Sequence, residues 1–149
     1  MFAGLTHYSK CHTKYERTAF VFAHLALFTV FVWFGFLKVV GLSPANGVVT
    51  ELLTVSLPFI PHNPFLIGLG IFEMVLGVLF LIPRMERLAI ALLVPHMITT
   101  FGPLVLIPEL TWLSFAVPTL EGQYIIKNLV IIALAVSILV DLKDRKRTV

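Results

Sequence analysis

The sequence predicts an all-α fold: a transmembrane four-helix bundle with both termini cytoplasmic and a short amphipathic segment in the first outer connection. Three observations lead there. Of the 149 residues, 58% are hydrophobic and 13% charged, and the mean hydropathy is +0.98; a soluble domain is nearer half apolar and a quarter charged. Four runs approach or exceed the roughly 18 apolar residues that mark a span. Lys and Arg gather in the two tails and in one connection.

The first run, TAFVFAHLALFTVFVWFGFLKVV, covers 18–40, and the second, PFLIGLGIFEMVLGVLFLI, covers 64–82. The third, RLAIALLVPHMITTFGPLVLI, covers 87–107. The fourth, YIIKNLVIIALAVSILV, covers 124–140 and is the shortest, so its helix is expected to start a residue or two earlier, near 122. At about 1.5 Å per residue each crosses, or nearly crosses, about 30 Å of hydrocarbon. Lys10, Lys14 and Arg17 lie before the first run, Arg84 and Arg87 between the second and third, and Lys143, Arg145, Lys146 and Arg147 after the fourth. The connections 41–63 and 108–123 hold no Lys or Arg. The positive-inside rule therefore puts both termini in the cytoplasm, as an even number of spans requires, and leaves the two long connections outside. The expected location is a bacterial inner membrane, crossed several times by one compact domain over residues 1–149.

A pI near 9.3 suggests a nucleic-acid partner. Topology already accounts for nine of the eleven basic residues, so no nucleic acid is expected, and the tail DLKDRKRTV is read as attracted to anionic lipid. The first apolar run is too long for a signal peptide and lacks a small-residue cleavage site, so it reads as a retained anchor. The single Cys11 excludes an internal disulfide and a CxxC redox pair.

In the first outer connection Asn46, Thr50 and Thr54 fall four apart, with Glu51 beside them, and Val48, Val49, Leu52, Leu53 and Val55 fill the other side. That pattern predicts a short helix on the outer leaflet between Pro44 and Pro58, against the alternative of a packed irregular loop. The second connection, PELTWLSFAVPTLEGQ, is also apolar. Trp112 and Phe115 are expected at headgroup depth, and the two connections together read as a lid over the outer end.

Glu73 lies about nine residues into the second run, where an ionised side chain costs about 2.5–3.5 kcal/mol or more. Gly70 and Gly77 share its helical face, so it is expected to point at a neighbouring helix. Lys38 and Lys127 are the two basic residues that topology leaves over, both near the outer side. Each could snorkel to the interface. Taken together, Lys38, Glu73 and Lys127 come from three runs at similar depth and predict a buried network, with Asn128 completing its hydrogen bonds. In the third run Pro95 is expected to kink the helix, and His96, with Thr99 and Thr100 on its face, is the candidate fourth member. A register-fixing ion pair and a hydrogen-bonded bundle histidine are the plainer readings. His24, near the inner end, reads as structural. Within the four apolar runs no His/Glu pair stands at i and i+4, so no metal centre is expected, and His24 and His96 lie at opposite depths, which disfavours a haem held by two histidines.

Three segments, FVWFGFLKVV, GLGIFEMVLGVLFLIP and EGQYIIKNLVIIALAVSILVD, resemble the DoxX-like superfamily of small four-span membrane proteins. The matching marks are Trp33, Gly35 and Lys38; Gly70, Glu73 and Gly77; and Lys127 with Asn128, in order from Thr18 to Asp141. The arrangement is also similar to a subgroup linked to reactive-chlorine resistance, although the first outer loop here is shorter and bounded by prolines. The resemblance implies a four-helix bundle and a quinone-associated redox or oxidant-stress role. Glu73 and His96 would then be the catalytic, proton-exchanging groups, and Lys38, Lys127, Asn128 and Glu51 the ligand-binding candidates. Quinone is the cofactor implied. No flavin motif, cysteine pair or cluster is present to carry electrons, so a partner redox subunit, or a direct step from substrate to quinone, would be needed. Two other classes stay open beside this one: a non-enzymatic subunit or assembly factor of a membrane complex, and a small proton or anion transporter acting as a homo-oligomer.

Overall fold

A computed structural model describes residues 14–147; Lys10 and Cys11 lie outside the described residues. The elements in order are α1 (Lys14–Val39), α2 (Asn46–Ser56), α3 (His62–Leu81), α4 (Glu86–Phe101), α5 (Pro103–Leu106), α6 (Pro108–Thr111), the strands β1 (Trp112–Ser114) and β2 (Val117–Pro118), and α7 (Leu120–Arg147). Among the described residues, four stretches are long and apolar enough to cross a membrane: Thr18–Val39, His62–Leu81, Glu86–Leu106 and Leu120–Lys143. The chain is a multi-pass membrane protein. The expected spans agree with these within about two residues at most ends.

Local chemistry sets the ends. α1 stops where Gly41 takes a φ of +76°. The amide of Gly41 donates to the carbonyl of Lys38 and that of Leu42 to the carbonyl of Leu37, a Schellman closure that only a glycine adopts without strain. The third span is broken at Gly102, followed by Pro103 at the first position of α5, where a missing N–H costs nothing. Pro95 stays inside a continuous α4. Thr99 and Thr100 each donate a hydroxyl to the carbonyl of His96 at 2.8 Å. α7 begins earlier than expected because Thr119 caps it, its Oγ1 accepting from the Gly122 amide at 3.1 Å.

The first outer connection does form a helix, α2, with Leu53 buried and Leu52 against Gly102. The second departs from the all-α expectation. It holds an antiparallel hairpin pairing Trp112 with Pro118 and Ser114 with Val117. Its turn contains Ala116 at φ +60°, a conformation usually signalled by Gly or Asn, so no turn motif announced it. α2, α5, α6 and the hairpin close one end of the bundle, called the capped end below; the start of α1 and the end of α7 lie at the other.

The core is formed by Leu27 and Phe31 of α1, Leu76 and Phe80 of α3, Leu93 of α4 and Ile138 of α7. α1 and α3 pack backbone against backbone. A Cβ on Gly35 would lie 2.6 Å from the carbonyl oxygen of Gly70, and one on Gly70 would lie 2.6 Å from the carbonyl oxygen of Gly35. Further down, a Cβ on Gly77 would meet Val32 at 2.9 Å and Phe31 at 3.1 Å. In lipid, where burying apolar surface does not drive helices together, such backbone contact supplies the attraction. Gly70→Val is therefore expected to lower stability by about 1–3 kcal/mol. Gly47→Ala, where the added methyl meets open space, should be neutral or slightly stabilising. Thermal unfolding of detergent-solubilised protein measures both.

Candidate functional site

The seam between α1 and α3 brings Lys38 to Glu73. The Lys38 ammonium donates to both carboxylate oxygens of Glu73, at 2.9 Å to Oε1 and 2.6 Å to Oε2. Glu73 stands eleven residues into α3, roughly 16 Å from its start at 1.5 Å per residue, and is 6% exposed; Lys38 is 7% exposed. The third member is His96, whose Nε2 lies 3.4 Å from Glu73 Oε1. Its ring neighbours those of Phe31, 5.9 Å away and edge-on, and Phe72, 5.6 Å away and tilted. Three spans thus contribute one side chain each to a buried cation, carboxylate and imidazole.

The direction of the helices explains why Lys38 turns inward and does not snorkel to the interface. Cα–Cβ bonds tilt toward a helix's N-terminus, and long side chains follow. α1 runs toward the capped end, so Lys38, in its last turn, leans back into the bundle. α3 runs the other way, so Glu73 leans toward the capped end to meet it. The Cβ of Lys38 lies level with Gly70, and its ammonium reaches one turn deeper, to Glu73.

The same rule separates Lys127 from the network. α7 starts at the capped end, so Lys127 leans toward that end, and its ammonium lies 5.1 Å from the centroid of the Tyr124 ring, one turn back. Lys127 is exposed and Asn128 half-buried. The expected meeting of Lys38, Glu73 and Lys127 is thereby corrected: Glu73 is shared by Lys38 and His96, and Lys127 belongs to an outward face of α7. Glu51 is exposed on α2, and its helix neighbour Thr54 lies 3.2 Å from His62 Nε2 through its hydroxyl.

Phe31 and Phe72 are the neighbours that sequence reasoning missed. Both were within reach of it: Phe31 falls at i−4 and i−7 from Gly35 and Lys38 on one face of α1, and Phe72 adjoins Glu73 in sequence. His24 is buried, as a structural histidine would be; its Nδ1 donates to the Phe20 carbonyl at 2.7 Å, and among the described residues its Nε2 has no hydrogen-bond partner. Among the described residues, no group of three His, Cys, Asp or Glu side chains is placed to share a metal ion. Compared with known proteins, the chain matches no family model, no curated protein and no solved structure.

Chemically, the arrangement holds a negative charge in a region that would otherwise exclude it. Removing one partner of a buried pair costs about 3–5 kcal/mol because the other charge is left uncompensated, whereas replacing both by apolar groups is often neutral. Lys38→Met and Glu73→Met should each destabilise the protein by that order. The double variant Lys38→Met/Glu73→Met should be more stable than either single one, as read by the melting temperatures of the four proteins in one detergent.

Proposed function

We propose that this is a DoxX-like protein of a bacterial inner membrane, with both termini cytoplasmic, in which Lys38, Glu73 and His96 form a proton-exchanging site serving a quinone-associated redox role. The observation that supports this reading is the third group. Lys38 alone neutralises Glu73 through two short hydrogen bonds; a purely architectural pair has no need of an imidazole 3.4 Å away on another span. An imidazole and a carboxylate at that separation can pass a proton between them, and Lys38 keeps the carboxylate's charge tolerable in either state. Reduction of a quinone takes up two protons and two electrons. The triad supplies a proton donor and acceptor at membrane depth, while the electrons come from a partner redox subunit.

The second reading is a non-enzymatic subunit or assembly factor, favoured by the position of the pair on the Gly35–Gly70 seam. There the same hydrogen bonds would fix the register of α1 against α3 and do nothing more.

One experiment separates the two. Protein purified in a mild detergent is extracted and its quinones are measured by absorbance and mass, with Glu73→Gln and His96→Gln beside the wild type. The redox reading expects stoichiometric quinone in the wild type and its loss in variants that still fold. Folded wild type without quinone, together with reduced yield of the Glu73→Gln protein, would favour the architectural one. The orientation has its own check. A cysteine at the exposed Glu109, with Cys11 replaced by Ser, should react with a membrane-impermeant maleimide added to the periplasmic side of spheroplasts. Labelling solely from the cytoplasmic side would invert the topology.

A further inference from the structure

The hairpin at the capped end is tied down at its base and bare at its tip. At the base, Thr111 is fully buried, and its carbonyl oxygen lies so close to Gly122 that no side chain could stand there. That carbonyl also accepts from the Thr119 amide at 3.0 Å. The indole of Trp112 donates to the carbonyl of Leu104 at 3.0 Å, and Thr119 Oγ1 donates to the carbonyl of Leu110 at 2.8 Å. Trp112 is thus turned toward the protein and half-buried. At the tip, Phe115 is 100% exposed and Leu113 73% exposed. Between them and on either side, residues 110–120 carry no charge.

The base fixes the depth of this element. Leu104 belongs to the span Glu86–Leu106, and Gly122 to the span Leu120–Lys143. The hairpin is therefore fastened two residues inside the ends of two spans, roughly 3 Å below them at 1.5 Å per residue. It does not stand off them on a stalk. Its exposed apolar residues run into the lipid-facing surface of those spans: Val105 and Leu106 on α5, then Leu113, Phe115 and Val117 on the hairpin, then Leu120 on α7. An exposed apolar patch this continuous marks an interaction surface. Its continuity with the span surface makes the occupant the lipid leaflet itself. Lys127, placed over Tyr124 further along the same helix, has its ammonium directed toward the headgroup layer, where cations and tyrosines reside.

We propose that the 112–118 hairpin is a membrane-inserted wedge whose Phe115 tip lies below the headgroups of the leaflet at the capped end, fixing the tilt and rotation of α7 against the bilayer. The inference holds under either reading of the Lys38–Glu73–His96 triad.

The test uses a nitroxide spin label at Phe115→Cys in a Cys11→Ser background, reconstituted in liposomes, with Leu113→Cys as a second position and Glu109→Cys as the water-facing reference. Power-saturation measurements compare collisions with oxygen, which concentrates in hydrocarbon, and with a water-soluble nickel chelate. Insertion is expected to shift the depth parameter at 115 and 113 to the lipid side of that at 109. A label at 115 that meets the nickel chelate as freely as the one at 109 would overturn the proposal. So would a label shielded from both reagents, which would mean that a second copy or a partner protein covers the tip. Phe115 has no buried contacts, so the substitution leaves the fold out of the comparison.

Discussion

The ion pair between Lys38 and Glu73 exists because two helix backbones touch. Gly35 and Gly70 leave no side chain between α1 and α3, so a lysine at the end of one helix reaches a carboxylate one turn deeper on the other. Widening that gap by a single methyl would pull the charges apart in a medium that penalises each of them separately. The seam, the pair and the imidazole of His96 are in that sense one feature. The glycines contribute close packing, the pair makes the charge tolerable, and the third span joins through His96.

Chain direction then decides what each intramembrane cation does. Lys38 lies one residue from the end of α1 and Lys127 seven residues into α7, on helices of opposite polarity. Because side chains lean toward the N-terminus of their own helix, one folds into the bundle and the other out toward the interface. This also makes the capped end asymmetric. It has a buried charge cluster under α2 and the α1–α3 seam, and an apolar hairpin with an exposed cation on the side of α7.

Much of this was legible in the sequence. Span lengths, the amphipathic α2 and the inward face of Glu73 all follow from local patterns, since each depends on residues within a turn or two of one another. His96 was recognisable as a partner because Thr99 and Thr100 mark a polar face in an apolar run. The grouping of Lys127 with Glu73 failed because depth along a helix says nothing about azimuth around the bundle, and because the lean of the side chain was not weighed. The hairpin was hidden for another reason. LTWLSFAVPT carries no Gly or Asn at the turn, and Ala116 holds its left-handed conformation through the tertiary bonds of Thr111, Trp112 and Thr119. The order of packing, α1 against α3 above all, is written only in the glycines.

The most direct measurement is of the pair itself, in a bilayer. Carbon–nitrogen dipolar recoupling by solid-state NMR, with 13C-labelled Glu carboxyls and 15N-labelled Lys side chains in lipid, reads the separation of Glu73 from its nearest ammonium. The expected result is strong dephasing of one carboxyl resonance, absent from the Glu73→Gln protein and abolished by Lys38→Met but not by Lys127→Met. A Glu73 signal that feels no lysine nitrogen, or that loses its dephasing with Lys127→Met, would contradict the account.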